Sequence, residues 1–120
     1  MAPAPVSLSS FAGTWRVRGF NAKGDSIVGY QLVATADTAG WKIVFPNRAP
    51  VAAHVVAVAG DSVTMEAGPY ASVLRKGLQV RTHAVIRLQG GKLVGTTVAH
   101  YVTSKDDSVL LIRNEGTRQP

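Results

Sequence analysis

The chain has 120 residues, no cysteine, and 13 Lys plus Arg against 7 Asp plus Glu, a formal net charge of +6. That length suits one domain with its own apolar core, and the lack of cysteine excludes disulfides, thiolate metal sites and cysteine nucleophiles. Valine, alanine, glycine and threonine are abundant and no long run has helical apolar spacing, so an all-β fold is expected.

The basic residues are spread from Arg16 to Arg118, with one adjacent pair, Arg75-Lys76, and no obvious exposed aromatics for base stacking. A solvated surface is expected from that pattern, and no nucleic-acid partner. No apolar run reaches the roughly twenty residues of a membrane-spanning helix, so no membrane span is expected either.

Residues 1 to 6 read as a flexible leader, because Pro3 and Pro5 cannot donate ladder hydrogen bonds. Such an opening fits an exported protein whose signal peptide has been removed. Residues 7 to 120 then form one domain. Ser7 to Ala12 suits a short helical turn with Phe11 beneath the sheet. The first strand runs from Gly13 to Phe20, with Trp15, Val17 and Gly19 on one face and Arg16 and Arg18 on the other.

Asn21 to Asp25 makes a turn, and Ser26 to Ala36 the second strand. If Asp37 to Gly40 closes the next hairpin, Ala36 lies opposite Trp41, and Tyr30, Leu32 and Ala34 share an interior face with Trp41, Ile43 and Phe45. Pro46 and Pro50 end the third strand in a rim loop. Val51 to Ala59 follows, with Gly60-Asp61 as a tight turn that sets Ala59 opposite Ser62. By that register His54, Val56, Val58, Val63 and Met65 point inward, and Ser62, Thr64 and Glu66 point to solvent.

Ala67 to Gly77 is the least regular stretch, a lid or a bulged crossing, with Tyr70 best placed in it to touch a ligand. Leu78 to Leu88 and Lys92 to Thr103 form a long hairpin about Gln89-Gly90-Gly91, with Leu88 opposite Leu93. Val80, Thr82, Ala84, Ile86, Gly95, Thr97, Ala99 and Tyr101 then face inward, and His83 and His100 outward. A turn at Lys105 to Asp107 leads to a last strand whose Leu110, Ile112 and Asn114 face inward. Val98, Val102, Val109 and Leu111 form an outer apolar stripe, expected to be a homo-oligomer interface.

Strands near ten residues reach across a small barrel, so the expected architecture is a single antiparallel up-and-down β-barrel of about eight strands with a short N-terminal helical turn. Gly13-Thr14-Trp15, opening the first strand after an apolar turn, resembles the Gly-x-Trp signature of lipocalins and the related avidin-like, calycin-type barrels. The resemblance implies that Trp15 closes the base of the barrel and that an arginine of the last strand, here Arg113, packs across it. It carries over an architecture and no ligand, since Trp15 and Trp41 are fewer tryptophans than wall an avidin-like biotin site.

The expected interior is lined by Trp15, Tyr30, Trp41, Phe45, Met65, Tyr70 and Tyr101, with His54, Thr82, Thr97 and Asn114 as sparse polar contacts. That composition suits a pocket for a small hydrophobic or aromatic molecule. One alternative is an enzyme of isomerase or cyclase type, with an inward His54 as the catalytic proton-transfer group. A variant is a haem-binding barrel with His54 or His100 as axial ligand. A third is a filled barrel that acts through its outer stripe. His54, His83 and His100 are too dispersed for a metal site, and no other cofactor is expected.

Overall fold

The computed structural model describes residues 8–101 and 109–119. The expected leader, the turn at Lys105 to Asp107 and Val102 lie outside these residues. A 3-10 turn, Leu8–Ser10, precedes eight strands: β1 (Gly13–Phe20), β2 (Ser26–Ala34), β3 (Lys42–Val44), β4 (Val51–Ala59), β5 (Ser62–Ala71), β6 (Gln79–Gln89), β7 (Lys92–Tyr101) and β8 (Val109–Arg118). Each pairs antiparallel with its neighbour in the chain, and β1 pairs with β8, so the sheet closes on itself.

The long hairpin follows from its turn. Gly90 and Gly91 both have positive φ, 60° and 79°, the backbone that a tight turn between right-twisted strands demands and that glycine adopts without steric cost. Leu88 stands opposite Leu93, as the spacing predicts. At Gly95 an added Cβ would come within 2.2 Å of the Val85 carbonyl oxygen, so glycine there lets β6 and β7 approach closely.

Two departures from the expected registers shape the molecule. β2 ends at Ala34, and Leu32 pairs with Ile43. The pairing is offset by two residues from the expected one, because residues 35 to 41 form a tied loop. Thr35 Oγ1 donates to Asp37, and the Trp41 Nε1 donates to the Asp37 carbonyl at 2.8 Å. A two-residue offset preserves the faces, and Trp41, Ile43 and Phe45 are buried as expected.

The second departure inverts a face. Between β4 and β5 the register shifts at Val56, a bulge that sets Val55 opposite Met65 and His54 opposite Glu66. One extra residue reverses the side-chain alternation. Ala53 is therefore buried and His54 exposed on the outside, which corrects the inward placement expected of His54. Val56, the extra residue and expected inside, is 52% exposed; Val58, also expected inside, keeps its partner Val63 on the turn side of the bulge and is 42% exposed close to the Gly60-Asp61 turn.

One end of the barrel is sealed. Phe11, Trp15 and Trp41 are fully buried there with Leu32, Val63, Ile86 and Leu93. The Trp15 Nε1 donates to the Phe11 carbonyl at 2.8 Å, and the Phe11 and Trp41 rings lie 6.0 Å apart. The arginine across Trp15 is Arg118, 4.3 Å from the ring centroid. The expected Arg113 instead lies 4.8 Å from the Phe20 ring and pairs with Glu115 on the outside, because β8 continues to Arg118, the residue opposite Trp15.

Candidate functional site

The opposite end is bordered by the loop between β3 and β4 and the loop Ser72–Leu78 between β5 and β6. Below them lies an interior cavity of about 60 Å³. The register places its wall residues. Tyr30 comes from β2, Phe45 follows β3, and Met65 and Ala67 face inward from β5. A second bulge, between Ala67 and Tyr70, shifts the alternation so that Tyr70 turns inward opposite Val80. Thr82 and Ala84 of β6, Thr97, Ala99 and Tyr101 of β7, and Ile112 and Asn114 of β8 complete it.

The polar groups are ordered. Asn114 is 1% exposed; its Oδ1 accepts from the Tyr30 hydroxyl at 3.1 Å, and its Nδ2 donates to Thr97 Oγ1 at 2.6 Å. Tyr70 is hydrogen-bonded to Thr82, and the Tyr101 hydroxyl lies 3.3 Å from Ser72 Oγ. Among the described residues no buried side-chain nitrogen or oxygen lacks a partner. Burial foremost, then the neighbouring Tyr70, raises the Tyr30 phenol well above its ordinary range. Burial also raises Tyr70, outweighing the Thr82 hydrogen bond and Arg48, which act the other way. Both therefore stay neutral hydrogen-bonding groups at physiological pH.

Glu66 borders the cavity as well, but its side chain is half exposed and stands 3.2 Å from Nδ1 of His83 on the outside. The wall is thus aromatic and aliphatic, with hydroxyls and one amide and no inward charge among the described residues. Such a site can hold an uncharged group and orient an oxygen or N–H upon it.

The loop over the cavity is tied down. Ser72 is buried, and its Oγ accepts from the backbone N–H groups of Leu74 and Arg75 at 3.1 and 2.9 Å. The Arg75 guanidinium lies 4.4 Å from the centroid of Tyr101. From the other loop, Arg48 donates to the carbonyls of Ala71 and Ser72. A volume of about 60 Å³ suits a few waters and is below the several hundred Å³ of a drug-sized site. Entry of a ring-sized molecule therefore requires displacement of this loop or of the wall.

Of the residues expected to bind a ligand, Tyr30, Phe45, Met65, Tyr70, Thr82, Thr97, Tyr101 and Asn114 come together here. Trp15 and Trp41 do not; they plug the sealed end. His54 lies outside the barrel, away from any interior proton-transfer role, and His100 is likewise exposed. No described histidine lines the cavity. Sequence reading missed Ser72 and Arg48. Ser72 at the start of a short turn, two and three residues before the N–H groups it accepts from, is the signal that was there to find.

Comparisons with protein-family models, with curated proteins and with solved structures find no match for this chain. The class defined by the structure is a closed eight-stranded antiparallel β-barrel, sealed at one end by tryptophans and covered at the other by a tied loop.

Proposed function

We propose that the protein binds a small hydrophobic or aromatic molecule in the covered end of the barrel, in the manner of a lipocalin-like or avidin-like barrel. The observation that carries this reading is the convergence of Tyr30, Tyr70 and Tyr101 with Asn114 and Thr97 on one pocket inside the barrel. Ordinary core filling calls for none of these polar groups, since each carries a desolvation cost that an aliphatic side chain avoids. The portion of the ligand held inside is uncharged, because no described residue supplies an inward charge to pair with it.

Native mass spectrometry of gently purified protein tests the reading. A mass in excess of the chain, released on denaturation, is the expected result. A bare chain that also gives no shift of cavity resonances against a panel of small aromatic compounds would overturn it.

A second proposal concerns the outer face. Val109 is 50% and Leu111 61% exposed, and Leu111 stands beside Val98 on the adjacent strand. A soluble monomer seldom leaves such neighbours bare, and a patch of this kind can meet its own copy about a two-fold axis. Sedimentation velocity at micromolar concentration should then show a dimer or higher oligomer that Leu111→Lys dissociates; monomer alone contradicts the proposal.

A further inference from the structure

β3 is only three residues long, and its pairing with β2 stops at Gln31 opposite Val44. Above that point β2 and the chain after Val44 separate. A groove of about 770 Å³ opens on the outside of the barrel, bordered by Arg16 and Arg18 of β1, Gly29 of β2, and Pro46 to Ala49. Among the described residues no acidic one lines it, and three arginines do: Arg16, Arg18 and Arg48.

Strand alternation aims Arg16 and Arg18 outward, and both are exposed. Arg18 lies across the ladder from Glu115, but that carboxylate is engaged by Arg113. Sequence spacing scatters these three arginines over more than thirty positions; the barrel gathers them at one seam.

Tyr30 and Phe45 line both this groove and the interior cavity. Their rings, 5.7 Å apart, stand between the two spaces. Tyr30 is tethered to Asn114, whereas Phe45 packs in the core through apolar contacts alone, among them its ring contacts with Tyr30 and Tyr70. A swing of the Phe45 ring would join groove to cavity without breaking a hydrogen bond. The cavity itself rejects charge, so an anionic group must stay outside with the arginines, whose planar donors suit carboxylate, sulfate and phosphate oxygens.

We infer that the seam between β2 and the β3–β4 loop is a side portal and anion site, and that the ligand is an amphiphilic anion whose apolar part enters past Phe45 while its charged head rests on Arg16 and Arg18, with Arg48, tied to Ala71 and Ser72, at the rim. This rests on the cavity reading above and adds the charge of the ligand and its route.

Calorimetric or NMR titration with phenylpropionate and phenylpropanol, which share an apolar body and differ in charge, tests it. Phenylpropionate is expected to bind about tenfold more tightly, the gain from charge-assisted contacts to guanidinium. In the Arg16→Gln/Arg18→Gln variant that advantage should vanish while phenylpropanol binding is retained. Inorganic phosphate should displace phenylpropionate and leave phenylpropanol in place. At Gly29, opposite Arg18, an added Cβ would meet nothing nearer than 4.0 Å. Gly29→Leu should therefore fold normally, narrow the groove, and weaken both compounds. Equal affinity for the two compounds, or an advantage that survives loss of both arginines, would overturn the portal and leave the cavity reading intact. Binding of neither compound removes the cavity reading and the portal with it.

Discussion

Arg118 lies over the indole of Trp15, its guanidinium carbon 4.3 Å from the ring centroid, and the same guanidinium donates to the carbonyls of Ser10 and Ala12. One side chain of the last strand thereby joins β1, the turn before it and the barrel closure. Arg118→Ala is expected to cost about 1–2 kcal/mol, from one cation–π contact and two hydrogen bonds. Arg113→Ala, on the solvated face, should stay within about 0.5 kcal/mol of the parent. Urea denaturation of the two variants checks the contrast.

Tyr30 and Asn114 form the innermost polar pair. Tyr30→Phe should cost about 1 kcal/mol, and Asn114→Leu more, about 1–3 kcal/mol, because it strands the hydroxyls of both Tyr30 and Thr97. The double variant should be less destabilised than the sum of the singles, since both remove the same bond. Additive losses would show that the pair is not coupled.

The raised phenols give the barrel an alkaline limit. In the unfolded chain Tyr30 ionises near its ordinary 10.0; in the folded protein burial holds it neutral above that. The folded state then binds more protons than the unfolded one, so this contribution to stability is full below pH 10.0 and is lost as the pH rises beyond it. The slope is about 1.4 kcal/mol per pH unit for each phenol so held. Ultraviolet titration of tyrosinate should show Tyr30 and Tyr70 ionising late, or only as the protein unfolds.

His54→Ala should leave both stability and ligand affinity nearly unchanged, within about 0.5 kcal/mol, as for other exposed positions. A large loss of either would place the imidazole inside after all.

Much of the barrel is legible in its turns and alternation. Gly90-Gly91 fixes the long hairpin, Gly60-Asp61 fixes the first rungs of β4 on β5, and both faces of the long hairpin follow from that single turn. What is not legible is where a strand carries an extra residue. Residues 51 to 59 are valine and alanine except for His54, so neither parity looks wrong on paper, and the bulge at Val56 leaves no mark in the pattern. Gly68-Pro69 does flag the bulge that turns Tyr70 inward. Arg113 and Arg118 are both basic residues of one strand, and only the β1–β8 register decides between them. The gathering of Arg16, Arg18 and Arg48 needs the shortness of β3, which Pro46 hints at from one side only.

The tied loop should close a second way out of the cavity, apart from the portal past Phe45. Arg48 holds the carbonyls of Ala71 and Ser72 from across the opening. Arg48→Ala is expected to speed release of an uncharged cavity ligand several-fold while leaving the sealed end unaffected, as read by line broadening of Tyr70 against the Trp15 and Trp41 indoles.

The most direct test of a ligand cavity at the covered end is an NMR titration with phenylpropanol, following the rings of Tyr30, Tyr70 and Tyr101 together with the two indoles. Binding in the cavity predicts saturable shifts of the three tyrosines, with Trp15 and Trp41 silent at the plugged end. Shifts confined to outer residues such as Leu111 and Val109, or no saturable shift in any tyrosine, would contradict it.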